Sequence, residues 1–371
     1  MGSYEGYSAF EDIQNVIGSE FIVEDTLLEY DVPTFYVRPK GELKSSFIRV
    51  LDKLEPKGFV PFMRERNGRI TIRVIRSPWK KPGRSIIPLV LFLATVGTTL
   101  YTGYWLSLTS KYVENPLLGA VTFSIAIMSI MGLHEMGHKL AALKHRVKAT
   151  NPYFIPGPPP IGTFGAVIQQ KSLYPNKDAL FDLGASGPIL GFIVTIIVTV
   201  LGIMMSTVAP AESNGQFLKV PLLFIYIQGL VLNPSQNPLF LLVDSVRYFI
   251  LQFTAPLEPG GLALYLHPVA WAGYVGMLVT VLNLMPAGML DGGHVVYSIL
   301  GHKASRIIGA IAIIALFLLG FWLMALFALF LFMTRHPDPL DNVSKLSNKR
   351  KALSMILIAI FILCITPLPF Y

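Results

Sequence analysis

The chain has 371 residues, of which 53% are hydrophobic and 14% charged, and a formal net charge of +8. A soluble domain carries about 25% charged residues, so this composition, with a mean hydropathy of +0.57, excludes an ordinary soluble fold and points to a polytopic α-helical membrane protein. The basic residues flank apolar runs, as in Lys80-Lys81-Pro82-Gly83-Arg84 and Lys144-His145-Arg146-Val147-Lys148, which indicates membrane lipids rather than nucleic acid as their partner.

Residues 1–80 read as a small N-terminal cytosolic α+β domain. Phe10 to Ile17 suggests a short helix. Phe21 to Val37 is rich in β-branched and aromatic residues, with a break at Asp31-Val32-Pro33, and reads as one or two strands. Apolar residues at Leu43, Phe47, Val50, Leu51 and Leu54 predict an amphipathic helix that Pro56-Lys57-Gly58 stops. Phe59 to Met63 and Arg69 to Ile75 are strands around an Asn67-Gly68 hairpin turn. Nothing in this domain looks catalytic; it is expected to dock, to filter substrates or to bind a regulator. Met1 to Pro39 lacks a basic-then-apolar pattern, so no cleavable signal peptide is expected.

Residues 85–371 read as the membrane domain. A span needs roughly 20 apolar residues, which gives about six transmembrane helices: Ser85 to Leu108, Leu117 to Leu143, Ala179 to Val208, Pro268 to Met285, Ile307 to Met333 and Ala352 to Leu368. Pro221 to Leu232 is too short to span and Pro238 to Phe253 contains Asp244 and Arg247, so both are expected to be re-entrant or interfacial. Lys80, Lys81 and Arg84 place the start of the first span in the cytosol, and Lys144, His145, Arg146 and Lys148 place the end of the second there. Six crossings then put Arg335, Lys345, Lys349, Arg350 and Lys351 outside, so either a segment is miscounted or this loop breaks the charge rule.

His134-Glu135-Met136-Gly137-His138 closes the uncharged run from Leu117 to Leu133. Residues i and i+4 share a helix face, so His134 and His138 can grip one metal, with Glu135 between them as general base toward an attacking water. Ionisable groups at membrane depth are expected only with partners and a function. His138 lies six residues before Lys144, which puts the metal about 10–15 Å below the cytosolic boundary and calls for a water path from that side. A catalytic zinc takes three protein ligands, and Asp291 is the best candidate for the third. It lies in Asn283-Leu284-Met285-Pro286-Ala287-Gly288-Met289-Leu290-Asp291-Gly292-Gly293, whose Pro and Gly residues predict irregular backbone. Cys364 is the single cysteine, which excludes an intrachain disulfide and a thiolate site. Gly187 and Gly191 read as close helix packing and Asp182 as a cap or anchor for the third span.

His-Glu-x-x-His on one span and Asn-x-x-Pro-x-x-x-Leu-Asp-Gly on a later one resemble the site-2 protease family of intramembrane metalloproteases. Gly162-Thr163-Phe164-Gly165-Ala166, Asp182-Leu183-Gly184-Ala185-Ser186-Gly187-Pro188 and His336-Pro337-Asp338-Pro339-Leu340-Asp341 are similar to its archaeal, cyanobacterial and plastid branch. The resemblance implies an intramembrane zinc endopeptidase, one Zn2+ per chain on His134, His138 and Asp291, and Glu135 as base. It also implies that Asn283 holds substrate or the developing oxyanion, and that Gly162, Thr163, Phe164 and Gly165 form a membrane-embedded β region that pairs with an unwound single-span membrane-protein substrate. Regulated intramembrane proteolysis is the role it suggests. With no Ser/Arg-rich transit peptide visible, the expected location is a prokaryotic, archaeal-like plasma membrane, with the site open to the cytosol. The competing reading is a zinc- or proton-coupled transporter that uses the same ligands; such a protein would show an internal repeat, and none is seen.

Overall fold

The computed structural model describes residues 2–29, 32–78, 86–211, 218–254, 261–318, 321–333 and 338–366. The expectations for Asp31, Lys80, Lys81, Arg84, Arg335, His336 and Pro337 lie outside the described residues.

The N-terminal part runs α1 (Gly2–Glu20), β1 (Phe21–Glu29), β2 (Val32–Pro39), α2 (Leu43–Leu54), β3 (Phe59–Arg66) and β4 (Arg69–Arg76). The strands form one antiparallel sheet in the order β1-β2-β4-β3. Helix α2 buries Phe47, Val50, Leu51 and Leu54, the stripe expected from their spacing, and a short 3-10 turn ends at Gly58 with φ 81°. Asn67 and Gly68, at φ 50° and 75°, make the β3–β4 turn. Helix α1 is longer than the expected Phe10 to Ile17 segment.

The remaining elements are α3 (Ile87–Thr109), α4 (Pro116–Lys144), β5 (Tyr153–Pro156), β6 (Thr163–Val167), α5 (Lys177–Met204), β7 (Thr207–Pro210), α6 (Leu222–Leu232), α7 (Pro238–Thr254), β8 (Leu262–Tyr265), α8 (Pro268–Leu284), α9 (Asp291–Leu318), α10 (Trp322–Met333) and α11 (Asn348–Cys364). Four helices, α3, α4, α5 and α9, are long and apolar enough to cross a membrane, and α6, α8 and part of α10 are shorter apolar helices. Strands β7 and β8 pair with each other and bracket α6 and α7, so the third expected span ends at Met204 rather than at Val208.

The expected single span Ile307 to Met333 is two helices. Gly309 lies beside Phe332 and the rings of Phe317 and Trp322 stack at 6.2 Å, so the end of α9 and α10 run antiparallel. Helix α9 itself breaks at Gly301, with φ 77° and ψ −179°, a conformation open to glycine. Its first turns lead from Asp291 toward Asp338, which Tyr297 contacts, and its second part returns past the 285–290 turn, where Ile313 and Leu316 pack with Met285, Ala287 and Leu290. Lys349, Arg350 and Lys351 lie at the start of α11 and Lys345 just before it, and Arg350 shares Asp182 with Lys144 and His145, so this basic segment sits at the same end of the bundle as the end of α4.

That end is tied by ion pairs. Asp182 accepts from Arg350 Nε and Nη2 at 2.6 Å each, from His145 Nε2 at 2.7 Å and from Lys144 Nζ at 3.2 Å. Asp178 pairs with Lys44 at 2.8 Å and with Arg350 at 2.9 Å, and Arg146 and Lys148 reach Asp52 and Glu55 at 2.6 and 2.7 Å. Asp182 therefore anchors α5 to α4 and α11. Replacing it with Asn leaves Arg350 with a neutral partner in a site where both side chains are mostly buried. Asp182→Asn should cost roughly 3 kcal/mol, read as a lowered unfolding midpoint in detergent; a loss below about 0.5 kcal/mol would show that the network is fully solvated.

Candidate metal centre

The site forms where α4, α5 and the α8–α9 turn meet. Asn115 caps α4, its side chain accepting from Leu117 and Leu118 N at 3.1 Å each, and the helix continues unbroken through the two histidines. Helix α8 ends at Leu284, the chain turns through Pro286 and Gly288 (φ 52°), and α9 starts at Asp291. That irregular turn returns Asn283 and Asp291 to the same place.

Asp291 Oδ2 lies 3.3 Å from both His134 Nε2 and His138 Nε2, and the two Nε2 atoms are 3.1 Å apart. Ligand atoms about 2.0–2.1 Å from a tetrahedral zinc stand about 3.3 Å from one another, so the three donors fit zinc in spacing as well as in chemistry. His134, His138 and Asp291 are the one such group among the described residues. His138 Nδ1 donates to the Leu183 carbonyl at 2.7 Å, which sets the tautomer and leaves Nε2 free to bind. His134 and Glu135 are each 5% exposed, and the backbone at Ile168 lies beside the Glu135 carboxylate. Asn283 Nδ2 lies 3.3 Å from His134 Nε2.

Helix α5 supplies the wall behind the histidines. A methyl group on Gly187 would sit 2.5 Å from His138 Cε1, and one on Gly191 would sit 3.0 Å from His134 Nδ1. Their packing role is thus packing against the two histidines themselves. Pro188 follows Gly187 and supplies no amide to the helix ladder in this turn.

The Gly162 to Gly165 segment enters the site through β6. Strands β5 and β6 form a two-stranded sheet, so the other edge of β6 faces no strand among the described residues. Phe164 and Val167 are exposed, Thr163 Oγ1 donates to Ile155 O at 2.8 Å, and two residues after Val167 the chain has passed Ile168 at Glu135. The hairpin tip is pinned on the opposite side. Thr98 Oγ1 donates to Gly162 O at 2.7 Å and Trp271 Nε1 to Pro160 O at 2.8 Å. All the expected site residues therefore fall in one region: His134, His138 and Asp291 converge, Glu135 and Asn283 adjoin them, and Gly162 to Gly165 lead to Glu135. Sequence reasoning missed the Leu183 carbonyl, Thr98, Trp271 and the ligand-facing role of Gly187. The Asp182-Leu183-Gly184 and Gly187-x-x-x-Gly191 patterns were the available signal.

Comparison with known proteins matches residues 122–327 to peptidase family M50. The probable zinc metalloprotease EGY1, chloroplastic, of Arabidopsis thaliana is 28% identical over 329 residues, covering 81% of this chain and 57% of that protein. The probable zinc metalloprotease EGY2, chloroplastic, of Oryza sativa subsp. indica is 28% identical over 256 residues, covering 67% and 42%. The probable zinc metallopeptidase EGY3, chloroplastic, of Arabidopsis thaliana is 25% identical over 297 residues, covering 72% and 49%. The chain thus spans about half the length of these relatives. Their chloroplastic names give the expected prokaryotic plasma membrane no support. No solved structure matches.

Gly187→Ala should push the His138 ring out of line. We expect zinc content to fall more than about tenfold with far-ultraviolet dichroism unchanged; full zinc content in this variant would show that the wall has slack.

Proposed function

The chain belongs to peptidase family M50, and from that premise we propose that it is an intramembrane zinc endopeptidase that hydrolyses a peptide bond within or near the transmembrane segment of a single-span membrane protein. The observation that carries this reading is the convergence of three zinc-spaced donors with a buried carboxylate and a free-edged strand. Zinc bound by His134, His138 and Asp291, one ion per chain, would supply a Lewis acid that makes water acidic near neutral pH. Glu135 then takes the proton of the attacking water and passes it to the leaving amine. Its exclusion from bulk solvent keeps it committed to that water. The Asn283 side-chain amide, beside His134, donates to the substrate carbonyl as negative charge develops on its oxygen.

A transmembrane helix hides its carbonyls in its own hydrogen bonds, so the scissile segment must unwind before attack. The open edge of β6 satisfies the freed backbone groups by strand addition, and its course past Glu135 delivers the bound segment to the base. Loops with the same charge sign lie at the end of the bundle nearest the site, which supports access for water from the cytosolic side. Release of membrane-tethered signalling proteins fits this chemistry, and the N-terminal unit is the place for a regulator.

The test is cleavage of a tagged single-span substrate by the purified protein in detergent, wild type beside Glu135→Gln, with zinc content measured for both. Wild-type cleavage should be abolished by chelation. Glu135→Gln should retain zinc and lose at least about 10² in rate. Zinc flux into liposomes by a protein that cleaves none of several substrates would favour a transporter instead.

A further inference from the structure

Residues 338–342 run between the N-terminal sheet and the segment that precedes α5, with isolated β-bridges from Asp341 to Met63 and to Asn176. On one side Met63 N donates to Leu340 O at 2.8 Å and Asn342 N to Met63 O at 3.3 Å; on the other Leu340 N donates to Tyr174 O at 2.8 Å and Asp341 N to Pro175 O at 3.0 Å. Arg64 clips the junction, its Nη1 donating at 2.8 Å to both Met63 O and Leu340 O. Leu340 is 3% exposed and belongs to the core of the N-terminal unit, packed with residues of α2 and β3. Asp341 is fully buried, and its Oδ1 accepts from Val343 N and Ser344 N at 2.9 Å each, which fixes the turn that follows.

This segment and the one that precedes α5 touch α9 twice. Tyr297 donates to the Asp338 carboxylate. Tyr174, fully buried, places its hydroxyl 3.4 Å from His294 Nε2. Burial pushes the Tyr174 phenol well above its usual range, so it stays a neutral donor. His294 and Tyr297 lie three residues apart, on one face of the turns that begin at Asp291. A run of hydrogen bonds therefore extends from β3 through Leu340 and Tyr174 to the helix that carries the third ligand.

We propose that the N-terminal sheet is a positioning element of the metal centre, acting through segment 338–342 and Tyr174 on the first turns of α9. Tyr174 and Arg64 are the positioning residues; neither touches the reacting atoms. The zinc readout of this inference rests on the function proposed above, and its mechanical part does not. Ligand orientation by outer partners governs metal affinity, so freeing α9 weakens the site even though His134, His138 and Asp291 are unchanged. A regulator that pulls on the N-terminal unit would then act on the metal centre without entering the membrane.

The experiment uses the full-length protein and measures hydrogen exchange of residues 291–300 together with zinc retention against a chelator. Arg64→Met should speed exchange both in 338–342 and in 291–300 and lower zinc affinity about tenfold. Tyr174→Phe should speed exchange in 291–300 and lower zinc affinity alike, with 338–342 still protected, since it cuts the run below that segment. Loosening of 338–342 with residues 291–300 and zinc affinity unchanged would overturn the proposal. So would a Tyr174→Phe protein that matches wild type, a variant outside the N-terminal unit that keeps the test decisive if Arg64→Met unfolds that unit. A wild-type protein that takes up no zinc would remove the proposed function, while exchange in 291–300 would still decide the coupling.

Discussion

The close approach of α5 to α4 is the constraint on which the rest of the site depends. Two imidazoles one turn apart project from α4, and a helix with ordinary side chains at 187 and 191 would fill the space they need. Gly137 on α4 makes the approach mutual, since a methyl group there would lie 2.8 Å from the Ser186 carbonyl carbon. In hydrocarbon there is no hydrophobic force to press helices together, and small residues that let backbones meet take its place. The same approach brings the Leu183 carbonyl to His138 Nδ1. One packing decision thus makes room for the ligands and sets the tautomer of one of them. Gly184 extends the surface to α9, where an added methyl would lie 2.7 Å from the Asp291 carbonyl oxygen, so α5 is the template for all three donors.

Buried polar groups elsewhere follow the same economy. Thr95, Thr99 and Thr102 are fully buried on α3, and Thr99 shares a 2.8 Å hydrogen bond with Ser124 on α4. Thr95 and Thr99 satisfy their hydroxyls on the carbonyls of Leu91 and Thr95, one turn back, at 2.8 Å each, so these two cost little in a helix core. The neighbouring Thr98 holds irregular backbone at Gly162. Non-helical chain at membrane depth persists only where protein covers its polar groups, and α3 with Trp271 provides that cover at the tip of the β5–β6 hairpin. The outer edge of β6 pairs with no strand among the described residues.

How much of this is legible in the sequence depends on whether the signal is local. The i, i+4 histidines, the amphipathic stripe of α2 and the Asn67-Gly68 turn are written in adjacent residues, and the structure agrees with each. The α9–α10 region is not so written. Its apolar residues run on from Ile307 to Met333 without a charge, and hydropathy cannot distinguish one long helix from two antiparallel ones. The reversal at Gly301 and the Phe317–Trp322 stack settle it through tertiary contact. The charge rule did flag this region, because six crossings put the basic residues at 345–351 outside. The Leu183 carbonyl and the Tyr174–His294 contact join residues 45 and 120 positions apart, and no periodicity in the chain encodes such a pair.

The N-terminal sheet has two long edges, β1 and β3. An open edge presents unpaired amides and carbonyls and invites association. At Met63 the β3 edge is bridged by the chain's own Asp341, which lies beyond α10 and 278 residues downstream. Closing a loop of that length costs little more than closing a short one, because the entropy grows only with the logarithm of length. The return is that the N-terminal sheet and the helical bundle are joined by backbone hydrogen bonds, through Met63 on one side and Tyr174 and Pro175 on the other. A slip of residues 338–342 by one position would break these bonds and move Leu340 out of the core it fills. Helix α9 is therefore held from two sides, by glycine contacts with α5 and by the contacts of Tyr174 and Asp338 with its first turns, and Asp291 sits where the two meet.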